Sequence, residues 1–139
     1  MGRSSVEIKD QEGNGSLFLA TTGEEGRDES SFDDFDVRVV TPTLTAETKC
    51  SEFPHSTLAS FFEDLASHWR GWEGSKEWKG QEGRLGVMAT HDGYGHVQLV
   101  WDLSPPDWRW EWRVSITTKI AAGDSLSLIA KGLADLHSR

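Results

Sequence analysis

The sequence predicts an α+β domain: an antiparallel sheet of about six strands with two amphipathic helices packed on one face. Three observations carry this. Residues 107–120, DWRWEWRVSITTKI, place Trp108, Trp110, Trp112, Val114, Ile116, Thr118 and Ile120 on even positions and polar or charged residues on the odd ones. Period-two alternation of that length is a half-buried strand, because successive side chains leave opposite faces of the pleat. Two further segments, 56–70 and 123–136, carry apolar residues at helical spacing and have the length to cover one apolar sheet face. The chain of 139 residues is most simply one domain, 1–139, able to bury about two-thirds of its unfolded surface without cross-links.

Taken in order, Val6 and Ile8 alternate with polar residues and SLFLAT at 16–21 is a second apolar run. QEGNG between them supplies turn residues, which predicts a hairpin. Residues 22–34 follow as a mobile acidic loop. From 24 to 36 the chain holds seven acids against Arg27, a local charge of −6. Such a segment has little to bury and is either a solvated loop or an electrostatic lure for a basic partner. Phe35, Val37 and Val39 open a strand running to Thr48, in which Pro42 marks an edge or a bulge.

Pro54 precedes the first helix, with Ser56 as its expected N-cap, a stripe of Leu58, Phe61, Phe62, Leu65 and Trp69, and Gly71 as its end. Residues 71–86 read as a glycine-rich connector pinned by Trp72 and Trp78, with a short strand around 77–79. Strands at 85–90 and 96–103 flank the turn Asp92-Gly93-Tyr94-Gly95. Ser104-Pro105-Pro106-Asp107 leads into the tryptophan strand. The second helix has Asp124 as its expected N-cap and Leu126, Ile129, Leu133 and Leu136 as its stripe. No internal repeat stands out along the chain.

Parity orients the last strands. Val97, Leu99, Trp101 and Leu103 are odd and the following apolar face is even, so opposed pairs sum to an odd number. Setting 103 opposite 108 gives a four-residue loop and stacks Trp101 against Trp110. The outer face then pairs Asp102 with Arg109, Val100 with Glu111, Gln98 with Arg113 and His96 with Ser115. Exposing the indoles would desolvate these charges, so the tryptophan face is assigned to the core.

Composition narrows the chemistry. A net charge of −9, from 14 basic and 23 acidic side chains, disfavours nucleic acid and anionic membranes and favours a basic protein partner. The lone Cys50 excludes an internal disulfide. No signal-peptide core and no run of about 18 apolar residues occurs, which predicts a soluble, cytoplasmic protein. Matching Leu85, Val87 and Ala89 to the face of Val97 and Leu99 needs an even pair sum and an odd loop. His91 and His96 in HDGYGH are then not opposed, and no metal site is expected. No G-x-S-x-G, phosphate loop or cofactor motif is present, and no catalytic residue or cofactor is assigned. Glu73, Glu77 and Glu82 are a carboxylate set that solvated loop acids explain as well.

The segment 61–103 also carries a resemblance. FFEDLASHWRGWEG, KEWKGQEGRL and ATHDGYGHVQLVWDL resemble a family of small bacterial proteins known only as a domain of unknown function, and their order is similar to that in toxin immunity proteins. Gln81 departs from the pattern, which favours an apolar residue there. The resemblance implies a non-enzymatic protein that binds and neutralises a toxin domain, and the net charge of −9 suits a basic one. The expected partner-binding residues are His96, Gln98, Asp102, Arg109, Glu111 and Arg113 on the polar sheet face, with Glu24 and Glu25 in the acidic loop. The alternative is a small-ligand or carbohydrate module using Trp72 and Trp78 as exposed platforms. An enzyme built on the connector carboxylates and His91 is the remaining reading.

Overall fold

The structure, a computed structural model, describes residues 5–21, 34–107 and 109–137. In it the alternating segments pair as two sheets in place of the one expected. β1 (Ser5–Lys9), β2 (Ser16–Thr21), β3 (Asp34–Val40) and β4 (Thr45–Ser51) form one antiparallel meander, followed by α1 (Leu58–Ser67). β5 (Ser75–Lys79), β6 (Leu85–His91), β7 (His96–Leu103) and β8 (Val114–Ala121) form a second, followed by α2 (Asp124–His137). The split follows from α1, which separates the fourth strand from the fifth, so hairpin pairing runs out at β4 and starts again at β5. Each sheet turns one face inward. Ile8, Leu17, Leu19, Val37 and Val39 of the first and Val87, Leu99, Trp101 and Leu103 of the second join Phe62, Leu65, Leu126 and Leu133 of the helices in one continuous core. No described helix is long and apolar enough to cross a membrane.

Several local expectations change. The segment expected as one strand with Pro42 at an edge is two strands, and Pro42 lies in the turn 41–44, where Thr41 N–H donates to the Leu44 carbonyl at 2.8 Å. Missing its own N–H, proline fits that turn better than a ladder position. The N-cap of α1 is Thr57, not Ser56. Its hydroxyl accepts from Ser60 N–H at 3.1 Å while Ser60 Oγ accepts from Thr57 N–H at 3.3 Å, a reciprocal capping box. The helix ends at Ser67, capped by His68 and not by Gly71, which leaves Trp69 off the stripe with the Arg70 guanidinium 5.1 Å from its ring centroid. Asp124 is the first residue of α2, not a residue before it.

The largest correction is at the tryptophan run. Leu103 pairs with Val114 and Trp101 with Ile116, so β8 starts six residues later than expected. A shift by an even number preserves parity, so Val97, Leu99 and Trp101 keep their inward face and Ile116, Thr118 and Ile120 lie opposite them. The outer pairs become Asp102 with Ser115, Val100 with Thr117, Gln98 with Lys119 and His96 with Ala121. Two physical reasons favour this register. Thr118 presents a hydroxyl that accepts from Trp101 Nε1 at 3.0 Å, satisfying a buried donor that a facing indole could not. The run 114–120 is also richer in β-branched residues, which suit a pleated ladder.

The two sheets are stapled through Asp10. Its carboxylate accepts from Lys119 N–H in β8 at 2.7 Å and from Glu12 and Asn14 N–H in its own turn at 3.1 and 3.2 Å. The backbone of Gln11 donates to the Lys119 carbonyl at 2.8 Å.

Candidate protein-binding surface

Residues 104–107, expected as a turn, and 109–113, expected as strand, all belong to the connection between β7 and β8. Pro105 and Pro106 cannot donate to a ladder, so pairing stops at Leu103. Asp107 then organises the loop. Its Oδ1 accepts from Arg109 N–H at 2.9 Å, its carboxylate takes the Arg109 guanidinium in a fork with Nη2–Oδ2 at 2.7 Å, and its carbonyl accepts from Trp110 N–H at 3.1 Å. The paired guanidinium, then the Arg109 N–H, hold the Asp107 carboxyl below the usual carboxylate range, and the same contact raises Arg109. The loop is thus a fixed bracket. It carries Trp110 into solvent at 66% exposure and leaves Trp112 partly buried against the core.

Clefts lie on both sides of this bracket. One, of about 490 Å³, is lined by Ser104, Pro105, Trp110, Glu111, Trp112 and Arg113. The other, of about 500 Å³, is a groove on the outer face of the first sheet that Pro106 closes at one side. Its floor is a grid of opposed residues: Phe18 beside Arg38 beside Glu47, and Ala20 beside Asp36 beside Lys49. Lys49 Nζ meets Asp36 Oδ1 at 3.0 Å, and the signs balance across the floor. Phe18 and Arg38 also line a neighbouring hollow of about 460 Å³ toward Thr41 and Pro42.

The residues expected to bind a partner divide into two groups. His96, Gln98 and Asp102 stand on the outer face of the second sheet, as expected, but Arg109, Glu111 and Arg113 are on the bracket and not opposite them. Of the first group, His96 is tied to the β6–β7 turn. Its Nδ1 lies 3.2 Å from Asp92 Oδ2, while Asp92 Oδ1 accepts from Tyr94 N–H at 2.6 Å and from His96 N–H at 3.1 Å. The Tyr94 N–H, and after it His96, hold Asp92 below the usual carboxylate range. Glu24 and Glu25 lie outside the described residues. The surface elements the parity argument missed are Trp110, which shares its parity with core residues, and the Phe18–Arg38 floor, which needs β2, β3 and β4 to be paired before it can be seen.

The tryptophans proposed as ligand platforms are not free. Trp78 is 6% exposed and donates Nε1 to the Ser56 carbonyl at 3.2 Å; Trp72 is partly buried and donates to the Ala89 carbonyl at 3.3 Å. Both indoles lock the connector to the body, which removes the geometric basis of that alternative. His91 is spent in the same way: Nδ1 accepts from Gly93 N–H at 2.9 Å and Nε2 lies 2.9 Å from the Trp69 carbonyl, with Trp72 edge-on at 5.3 Å. It pairs with Val97 and not with His96. Of the connector acids, Glu82 pairs with Arg84 at 2.8 Å. Among the described residues no three His, Cys, Asp or Glu side chains converge as a metal site.

Comparison with known proteins gives a family and no activity. Neither a curated protein nor a solved structure matches the chain. The model of a family of unknown function, DUF6228, matches residues 8–139, which take in the end of β1, every later strand, both helices and the bracket. By that match the chain belongs to the DUF6228 family.

Proposed function

We propose that the chain is a non-enzymatic binding protein of the immunity type, which neutralises a toxin domain by covering it. The observation that carries this reading is Trp110. A large indole held in solvent on a pinned loop, between two clefts, is what a protein contact is built from, since Trp and Arg supply most of the energy of such contacts. Pre-fixing the loop through Asp107 and Arg109 removes part of the ordering cost of binding.

Charge divides the work. The net −9 draws in a basic partner over a distance of about a Debye length, while the balanced floor of Asp36, Arg38, Glu47 and Lys49 fixes its orientation at contact. Arg109, Glu111 and Arg113 belong to the contact. His96, Gln98 and Asp102, on the other sheet, lie beside neither cleft.

The test uses the purified product of the adjacent gene as partner. Trp110→Ala should weaken binding by at least about tenfold with no change in urea midpoint. Leu128→Ala, an exposed position on α2 that lines neither cleft, should leave affinity unchanged. Equal affinity for Trp110→Ala and the parent would end the assignment of this surface. No binding to the adjacent product would end the immunity reading.

A further inference from the structure

The geometry points to an internal duplication: the chain is two copies of one ββββα unit, fused in tandem and packed against each other as the subunits of a two-fold dimer are. The order of elements repeats, β1–β4 with α1 and then β5–β8 with α2, and so does the register. Ile8 opposes Leu17 as Trp78 opposes Val87, and Leu17 opposes Val39 as Val87 opposes Trp101. Val37 opposes Thr48 as Leu99 opposes Thr118, and Phe35 opposes Cys50 as Val97 opposes Ile120. Equivalent residues of the first, second and fourth strands lie 70 positions apart, for example Ile8 and Trp78 or Thr48 and Thr118. The helices repeat the stripe: Leu58, Phe62 and Leu65 in α1, and Leu126, Ala130 and Leu133 in α2, all buried.

The residues repeat as well at that spacing. SVEIKDQEG at 5–13 and SKEWKGQEG at 75–83 share Ser, Glu, Lys, Gln, Glu and Gly, and Gly13 and Gly83 both adopt positive φ, at 79° and 67°. Thr48-Lys49 returns as Thr118-Lys119 in the fourth strand of each half. Packing alone asks only that Ile8 and Trp78 be apolar. It does not ask for Ser, Glu and Lys at the exposed positions between them, where most side chains are tolerated about equally.

The contact between the halves runs both ways, matched element for element though not residue for residue, as a two-fold arrangement of diverged copies requires. The turn after β1 docks on the last strand of the other half, through Asp10 and Gln11 on Lys119. The turn after β5 docks on the end of the last strand of the first half. There Gln81 Nε2 donates to the Glu52 carbonyl at 3.2 Å, and Gly80 lies so close to Cys50 and Ser51 that a Cβ would fall 2.5 Å from Cys50 Sγ. Each helix also packs across: Phe62 of α1 stacks on Trp101 of β7, with centroids 6.2 Å apart, and Gly132 of α2 lies against Val6 of β1. The helices pack on one another. The interaction surface between the halves is therefore a subunit interface, and the partner it fits is another ββββα unit. Departures from symmetry mark what was added. The third and fourth strands are joined by 41–44 in the first half and by 104–113 in the second, and the longer connection is the bracket bearing Trp110.

A two-fold makes a metric prediction. α1 reaches β5 through the seven residues 68–74, and Ser67 corresponds to Asp135 in the last turn of α2, so a connector of seven residues is long enough to reach from the last turn of α2 to the start of β1. Residues 138, 139 and 1–4 with one added glycine supply it. The experiment is the full chain cyclised through its backbone, once with this short connector and once with one of roughly twenty residues, long enough to span any separation of the ends. The short-connector chain should have a urea midpoint at least as high as the long one, because closing a shorter loop restricts the unfolded chain more. Opening it between Glu73 and Gly74 should give a permutant that remains monomeric, with the near-ultraviolet spectrum of the buried Trp101. A short-connector chain less stable than the long one overturns the two-fold. So does a permutant that is unfolded while its cyclic parent is folded.

Discussion

Trp101 is fully buried, stacked on Phe62, with Nε1 bonded to the Thr118 hydroxyl, whereas Trp110 stands in solvent on the bracket. Their substitutions should therefore separate cleanly. Trp101→Ala removes a core aromatic and should cost at least about 3 kcal/mol. Trp110→Ala removes an exposed ring and should stay within about 0.5 kcal/mol of the parent. Urea midpoints of the two variants decide this, and equal losses would place Trp110 in the core. Sequence parity could not distinguish the two residues. Both stand on the apolar side of an alternating run, and what separates them is a hydroxyl seventeen residues away in the chain, within reach of only one of them.

At the scale of elements, faces were legible and registers were not. A face depends on whether a residue is odd or even, and that survives any even slip, as the six-residue displacement of β8 demonstrates. The register depended on two prolines ending β7 and on a hydroxyl, that of Thr118, within reach of Trp101 Nε1. Asp10 gives the element scale its own prediction, because it joins the β1–β2 turn to β8. Burial raises its pKa, but the N–H groups of Lys119, Asn14 and Glu12 outweigh that and hold it below the usual 3.8. With a depressed folded value, the unfolded chain takes up the proton first as pH falls. The staple's contribution is thus complete above about pH 4 and lost as the pH drops through the folded value. Asp10→Asn should lower stability near neutral pH by about 1–3 kcal/mol. The gap to the parent should narrow steadily as the pH falls below about 4, and a gap that stays constant over that descent would show that the carboxylate charge is not what joins the sheets.

For the whole molecule, the α+β class and the antiparallel pairing followed from periodicity, but the division into two sheets did not. Each meander alternates alike, and a helix between two strands does not by itself decide whether they pair across it. The repeat was hidden for a related reason. Core positions carry the hydrophobic pattern, and several of these have changed, Ile8 to Trp78 and Leu19 to Ala89, while the residues retained in the first strand of each half, Ser, Glu and Lys, are polar and exposed. The connections also differ in length, which brings the third strands to a spacing of 62 where the others keep 70. The proposed contact surface was foreshadowed in the sequence only by the charged residues Arg109, Glu111 and Arg113. It was hidden where three strands of one half and a loop of the other converge on the floor of Phe18 and Arg38.

Hydroxyl-radical footprinting of the chain with and without its partner tests the central claim, that the bracket and the adjoining groove are the contact surface. Reactive side chains report on both faces: Trp110, Trp112 and Phe18 line the clefts, while Met88 and Tyr94, 38% and 86% exposed, stand on the second sheet and its β6–β7 turn. The account predicts that the partner protects Trp110, Trp112 and Phe18 and leaves Met88 and Tyr94 as reactive as in the free chain. Protection of Met88 and Tyr94 with Trp110 unchanged would contradict it and place the contact on the outer face of the second sheet.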